Sequence, residues 1–374
     1  MNNPLTSRQI SYFLFSITMG YAVLSIPKSI AENAGTGGWM VVIVGVIIII
    51  VLAYMFVYIG TAFPNKTIDE YMPLLTGKFI SYLVLIIFAV YTLFICGLIA
   101  RMTSETIKLT MLINTPIWAI STILIIVPFY TMTKNLVSMA RICEIFGMII
   151  IIFGITIFIT LLFTGKITNI KPFFNFSDLK FFDSLLAIGF SLTGLEILPV
   201  IPMNSNRKEI SRNVLFIQLI IGFMYLLIIE SCISVMGVDS IVQYDETVFA
   251  TMRRIEVDGL QFLKRLDGVF LIIWLLSLYC TVLLEGYITV HLFTKLFKCK
   301  NQNLIVLIVF ILSMIICLTP QSMIITKSIL DSIGYIGIVI NIALPLLLFS
   351  ILLFKKYKKT PNIVTQKDDK YENK

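Results

Sequence analysis

The chain is short of charge. Only 13% of its 374 residues are Asp, Glu, Lys or Arg, and it holds a single histidine, whereas a soluble domain is about 25% charged. So few ionised side chains cannot clothe a water-soluble fold of this length. Six scattered cysteines, most within or beside apolar runs, give neither a disulfide framework nor a zinc spacing. No HExxH, Walker-type loop or nucleophile elbow occurs. The sequence therefore predicts no enzyme, no metal and no cofactor. A long basic face with interleaved aromatics is also missing, which argues against nucleic acid as a partner. The net charge of +8 lies in short loops and the tail, where it suits the anionic leaflet of a lipid bilayer. The first apolar run lacks a small-residue cleavage site and is read as part of the working protein.

What fills the chain instead is apolar sequence: 58% of residues are hydrophobic and the mean hydropathy is +0.96. Windows free of charge, or with one acid, run Arg8 to Lys28, Met40 to Lys66, Lys78 to Arg101, Lys108 to Lys134 and Glu144 to Lys166. A second set runs Ser184 to Asn206, Asn213 to Val238, Gly268 to Thr294, Asn301 to Thr326 and Ser332 to Phe354. Each is close to the roughly 20 residues that cross hydrocarbon as a helix. The expected fold is an all-α polytopic membrane protein with ten transmembrane helices in one domain over 1–354. An even number of spans puts both termini on one side, and the basic tail and two basic hairpins make that side cytoplasmic. Two halves of five spans, about 8–165 and 183–354, must run in opposite senses, as an inverted repeat does.

Between spans two and three, Thr67-Ile-Asp-Glu70 predicts a capping box opening a short amphipathic helix that stops at Gly77. The mixed charges of 239–264 predict an extracellular segment, solvated or facing a partner, and 355–374 reads as a disordered cytoplasmic tail. Glu144 is expected to pair with Arg141 on one helix face. The lone His291, near the end of span eight, is expected to be an interfacial side chain.

The chain is organised around two interruptions. Thr18-Met-Gly-Tyr-Ala-Val-Leu-Ser-Ile-Pro27 and Gly189-Phe-Ser-Leu-Thr-Gly-Leu-Glu-Ile-Leu-Pro199 carry glycine and proline inside spans one and six. At membrane depth such breaks persist only where the freed backbone faces protein or a wet cavity. Paired breaks in corresponding halves point to a small-molecule site near the midplane. Freed N–H groups would take a carboxylate and freed carbonyls an ammonium, so a small zwitterion or similar polar solute is the expected ligand. The candidate ligand-binding residues are Gly20, Tyr21, Ala22, Gly189, Thr193, Gly194, Leu195 and Glu196, with Tyr91, Phe94, Ser277 and Thr281 as walls. Acids inside a membrane are functional candidates by default. Glu230 and Glu285, with Arg265 and Asp267 at the start of span eight, are the gating or coupling candidates.

Gly20-Tyr-Ala-Val-Leu-Ser-Ile-Pro27 followed by Ala34-Gly-Thr-Gly-Gly-Trp39 resembles the opening of the spore germination receptor B subunits, within the amino acid–polyamine–organocation transporter superfamily. Tyr71-Met-Pro-Leu-Leu-Thr-Gly-Lys78, Gly194-Leu-Glu-Ile-Leu-Pro199 and Lys264-Arg-Leu-Asp-Gly-Val-Phe-Leu-Ile-Ile-Trp274 extend the resemblance over nearly the whole chain. It implies a leucine-transporter-like fold in the spore inner membrane. It further implies a nutrient germinant receptor that works with A and lipoprotein C subunits and holds its ligand around Gly20 and Gly194–Glu196. Ala22 departs from the glycine common at that position in related amino acid transporters, which narrows the space beside the backbone. An amino acid/proton or cation symporter of the same fold is the alternative.

Overall fold

The structure, a computed structural model, describes residues 5–20, 22–173, 180–191, 194–254 and 266–354. Every regular element among them is helical. The N-terminal part comprises α1 (Ser7–Thr18), α2 (Ala22–Ala34), α3 (Gly38–Ala62), α4 (Ile68–Thr76), α5 (Lys78–Thr110), α6 (Ile117–Met132) and α7 (Leu136–Thr164). After it come α8 (Phe181–Ser191), α9 (Arg207–Met236), α10 (Val238–Ile241), α11 (Thr247–Arg253), α12 (Leu266–Leu296), α13 (Gln302–Leu318) and α14 (Met323–Phe354).

Among the described residues, six helical stretches are long and apolar enough to cross a membrane: Ala22–Ala62, Lys78–Thr110, Leu136–Thr164, Arg207–Met236, Leu266–Leu296 and Met323–Phe354. α6 and α13 are apolar but shorter. The expected total of ten counts these two, and the interrupted pairs at either end of α2 and α8, as crossings as well. The outward faces of the long helices carry bare Ile, Leu, Val and Phe, such as Ile47, Phe79, Ile152 and Leu347. A surface of that kind is covered by lipid, and this is a multi-pass membrane protein.

The interrupted helix α1 is the centre of the bundle. It packs against α7, α9 and α12, and ten of its twelve residues are buried. Thr6 caps it: its hydroxyl accepts from the Gln9 N–H and the Gln9 side chain accepts from the Thr6 N–H. Pro27 does not mark the break; it sits inside α2, whose preceding turn is already formed.

Ion pairs tie helices together at the two ends of the bundle. At one end, Arg8 of α1 holds Glu144 of α7 at 2.8 Å. Glu144 was expected to pair with Arg141 on its own helix; α1 brings a guanidinium closer. At the same end His291 of α12 meets Asp69 of α4 at 3.0 Å, and Lys295 reaches Asp69 and Glu70 at 3.5 and 3.4 Å. The helix predicted after Thr67 is therefore present and ends at Gly77, whose φ of +88° favours glycine. The capping box is not made. Thr67 donates to Asp69 instead, at 2.6 Å, while Glu70 turns to Lys295. Burial pushes the Asp69 carboxyl up, but hydrogen bonds from His291 and Thr67 and the charges of His291 and Lys295 outweigh it and hold the group down at about 2.

At the opposite end Asp245, in the link between α10 and α11, takes Lys28 of α2 at 2.7 Å and Lys327 of α14 at 3.3 Å. The Lys28 hydrogen bond, foremost, and the Lys327 charge hold this carboxyl below its ordinary range. The neighbouring Glu246 accepts from Thr106 of α5. The described half of 239–264 is thus a packed cap and not a freestanding solvated piece: Ile241, Val248, Phe249 and Met252 are buried, and α11 lies on α2 and α9.

Candidate functional site

The break between α1 and α2 leaves the last carbonyls of α1 without helical partners, as any helix end does. Side chains from two other helices supply them. Ser277 of α12 donates to Met19 O, Thr281 donates to Ser16 O at 3.1 Å, and Tyr225 of α9 donates to Thr18 O at 3.1 Å. These hydroxyls make an interrupted helix tolerable in the middle of an apolar bundle. Ser277 and Thr281 lie four residues apart on one face of α12, so the pair can serve carbonyls about one turn apart on α1, those of Met19 and Ser16. Gly20 is required by that approach: a Cβ there would stand 2.5 Å from Thr281 Oγ1.

The second break meets the first. Gly194 follows α8 with φ +141°, a conformation that L side chains rarely adopt. A Cβ on it would collide with Thr18 Oγ1 and lie 2.9 Å from Ile17 Cγ2. Beyond it the chain makes a single 3₁₀ turn at Leu195–Ile197. Glu196, 1% exposed, curls back so that its Oε2 accepts the Gly194 N–H at 2.8 Å. One freed donor of the break is thereby bound by the acid within it. The Glu196 carboxyl also lies against Glu285 of α12, Tyr91 of α5 and Asn341 of α14. Glu285, 2% exposed, leaves Oε2 with no donor, and Asn341 leaves Oδ1 with none.

A cavity of about 130 Å³ opens beside these groups. Its lining includes Ile17, Thr18, Gly20, Ala22 and Ser25 from the first break, Tyr91, Ile95 and Ile99 from α5, and Thr281 and Glu285 from α12. Lys327, Leu330, Asp331 and Gly334 of α14 line its outer part. This mouth lies under the Asp245 clamp, because Lys327 belongs to both.

Of the residues expected from sequence, the structure brings Gly20, Ala22, Tyr91, Thr281 and Glu285 to this cavity, with Gly194 and Glu196 directly behind it. Ser277 is at the break but caps Met19 instead of lining the cavity. Gly189 and Leu195 border a separate apolar hollow of about 110 Å³ between α3, α8 and α14. Phe94 is not a wall. The cavity face of α5 steps Tyr91, Ile95, Ile99, four residues at a time, which leaves Phe94 turned outward and 36% exposed. Glu230 is on α9, outside the lining, with Oε1 unpartnered. Asp267 pairs with Arg253 at 3.5 Å at the capped end, away from the cavity. Tyr21, Thr193 and Arg265 lie outside the described residues.

Sequence reasoning missed Thr18 and Asn341 as site residues. Asn341 had a signal: it is an uncharged polar side chain in the middle of the last apolar run, and such residues within a membrane usually bond something. Thr18 had none, since its role depends on Gly194 arriving from the other half of the chain. Among the described residues no group of three or more His, Cys, Asp or Glu is placed to hold a metal ion.

Two solved structures superpose over most of the chain. One is a nucleobase–cation symporter in a closed conformation with bromovinylhydantoin bound, with TM-score 0.66 and 10% identity, covering 94% of this chain and 78% of that one. The other is a substrate-bound, outward-open sodium-coupled sialic acid symporter, with TM-score 0.68 and 11% identity, covering 95% and 79%. At such identities they establish the fold alone, which is the leucine-transporter-like architecture that the resemblance implied. Sequence relatives are more specific. Spore germination protein YndE of Bacillus subtilis is 23% identical over 96% of this chain and 98% of its own length. Spore germination protein KB of the same organism is 25% identical over 95% and 96%. A family profile described as spore germination protein, the spore permease family, matches residues 4–325. With most of its length matched by that profile, the chain belongs to the spore permease family of spore germination proteins.

Proposed function

We propose that this protein is a nutrient germinant receptor subunit of the spore inner membrane, with both termini cytoplasmic. It binds a small amino acid or similar solute where its two helix breaks meet, and signals germination through A and C partner subunits. The observation that carries the reading is the meeting of Gly194 with Thr18 beside a polar-floored cavity lined by Gly20, Ala22, Thr281 and Glu285. A solute that fits better when the two breaks have moved relative to each other would shift the bundle toward that arrangement, by no more than its difference in affinity for the two. The ion-paired ends are the natural parts to re-form during such a shift, because each joins helices from different parts of the chain.

The test is the germination dose–response of spores carrying Gly20→Leu. Leucine would fill the space now shared by Gly20 and Thr281. The expected outcome is a lost or right-shifted response at normal protein level, and an unchanged response would count against the reading. The symporter reading is supported by the fold of the two solved neighbours, both symporters by description. Gradient-driven accumulation of an amino acid by the chain alone in proteoliposomes would favour it over a purely sensing subunit.

A further inference from the structure

One carboxyl lines the floor of the cavity, a second stands directly behind it, and among the described residues no cation pairs with either. Glu285 lines the cavity, and Glu196 lies directly against it from the second break. Among the described residues, no Lys, Arg or His forms an ion pair with either. The other groups facing them are neutral donors and acceptors: the Gly194 N–H, Tyr91 and Cys96 of α5, and Asn341 of α14. The nearest charged groups bordering the same cavity are Lys327 and Asp331, at its mouth. Lys327 is already engaged by Asp245. Two like charges in contact at low dielectric are not sustained without a counter-ion. One charge is acceptable there once a cation is delivered and hydrogen-bonded.

Resting on the function proposed above, we propose that Glu285, backed by Glu196, is the element that selects a ligand bearing a protonated amine. In the empty cavity each carboxyl holds its proton and the floor is neutral. When R–NH₃⁺ enters, the O–H bond of Glu285 breaks and its proton leaves to water at the cavity mouth. The ammonium then donates to the Glu285 carboxylate, including the oxygen that lacks a donor in this structure. Charge balances: a neutral acid pair and one external cation become one buried ion pair and one free proton. Glu196 stays protonated and donates to Glu285, with its other oxygen on Gly194, so amine binding pulls on the backbone of the second break. Uncharged solutes cannot drive that exchange.

The experiment is calorimetric binding to the full chain in lipid nanodiscs, run in two buffers of different ionisation enthalpy. The probes are ethylammonium and alanine, with propionate and glucose as the amine-free counterparts. The amine probes should bind with release of about one proton per site at neutral pH. Glu285→Gln should weaken them on the order of 100-fold and abolish the release. Because that variant could misfold, the wild-type protein supplies a second readout: its infrared carboxylic-acid band should lose intensity when an amine probe is added. Amine binding that is unchanged in Glu285→Gln, or that occurs with no proton release and no infrared change, overturns the proposal. Binding of propionate or glucose but of neither amine, abolished by Gly20→Leu, would leave the cavity reading standing and remove the amine assignment. Binding of no probe would count against both.

Discussion

Gly194 and Thr18 come from opposite halves of the chain and share one patch of space: the missing side chain of the first is what lets the hydroxyl of the second lie against the backbone. The contact is why the second break needs glycine twice over, once for its φ of +141° and once for the room. Gly194→Ala should cost about 1–3 kcal/mol from backbone strain alone, with the collision added. Thermal unfolding in detergent reads the loss. Thr18→Ala removes one of the two obstructing groups but not the strained φ or Ile17. The double variant should therefore recover part of the loss, and a purely additive result would show that the two positions do not touch.

The hydroxyls that close the end of α1 make a second prediction. Tyr225→Phe keeps the ring and deletes only the donor to Thr18 O, leaving a buried carbonyl short of its partner. Ser277→Ala does the same for Met19 O. Each should cost about 1–3 kcal/mol, the usual penalty for an orphaned buried polar group. Ser313→Ala, a buried hydroxyl on α13 whose recorded partner is the weak acceptor Cys96, is the control and should cost less.

How much of this was legible beforehand follows from the range of the interactions. Span positions, the helix after Thr67 and both interruptions were visible because they are set by local composition and by glycine. Gly20 and Glu285 were visible because a glycine or an acid inside apolar sequence is conspicuous. Pairing was not visible. Arg141 is the near neighbour of Glu144 in sequence, yet Arg8 takes it, because α1 runs past α7. Phe94 was expected as a wall together with Tyr91, and the fourfold step of the cavity face along α5 puts it outside the lining. Asn341 could be seen as odd, but its partner Glu196 lies far away in sequence.

The contact of Asp69 with His291 predicts a pH effect at the α4 end. The carboxyl is held at about 2 against an ordinary 3.8, so its pairing stabilises the fold fully above that ordinary value and is lost as pH falls through the lowered one. The shift corresponds to about 2 kcal/mol. The protection of Ile68–Thr76 against hydrogen exchange, taken relative to the free-peptide rate at each pH, should therefore be level above about pH 4 and fall below it. In Asp69→Asn the protection should be low throughout and lose that dependence.

Asp245 joins α2, the cap and α14, so it makes the sharpest prediction about access to the cavity. Ser25 lines the cavity behind it and is only partly buried, which makes Ser25→Cys a reporter for an impermeant thiol reagent. Adding Asp245→Asn removes the charge from both lysine ion pairs at once and should speed the labelling of Cys at that position. High salt should have a weaker effect in the same direction, since the exposed pairs are screened but the hydrophobic seat of α11 on α2 is not. Lowering the pH through the depressed pKa of Asp245 should loosen the same clamp, read as the labelling rate corrected for the fraction of thiolate. Protonation removes the charge that both lysines hold, and stability from this clamp is lost as the pH falls through that range. Lys28→Gln and Lys327→Gln singly should each give an intermediate rate, as the remaining lysine still engages the acid. A labelling rate indifferent to all of these changes would mean that solute reaches the cavity by another route, and that the cap is a packing element and not a gate.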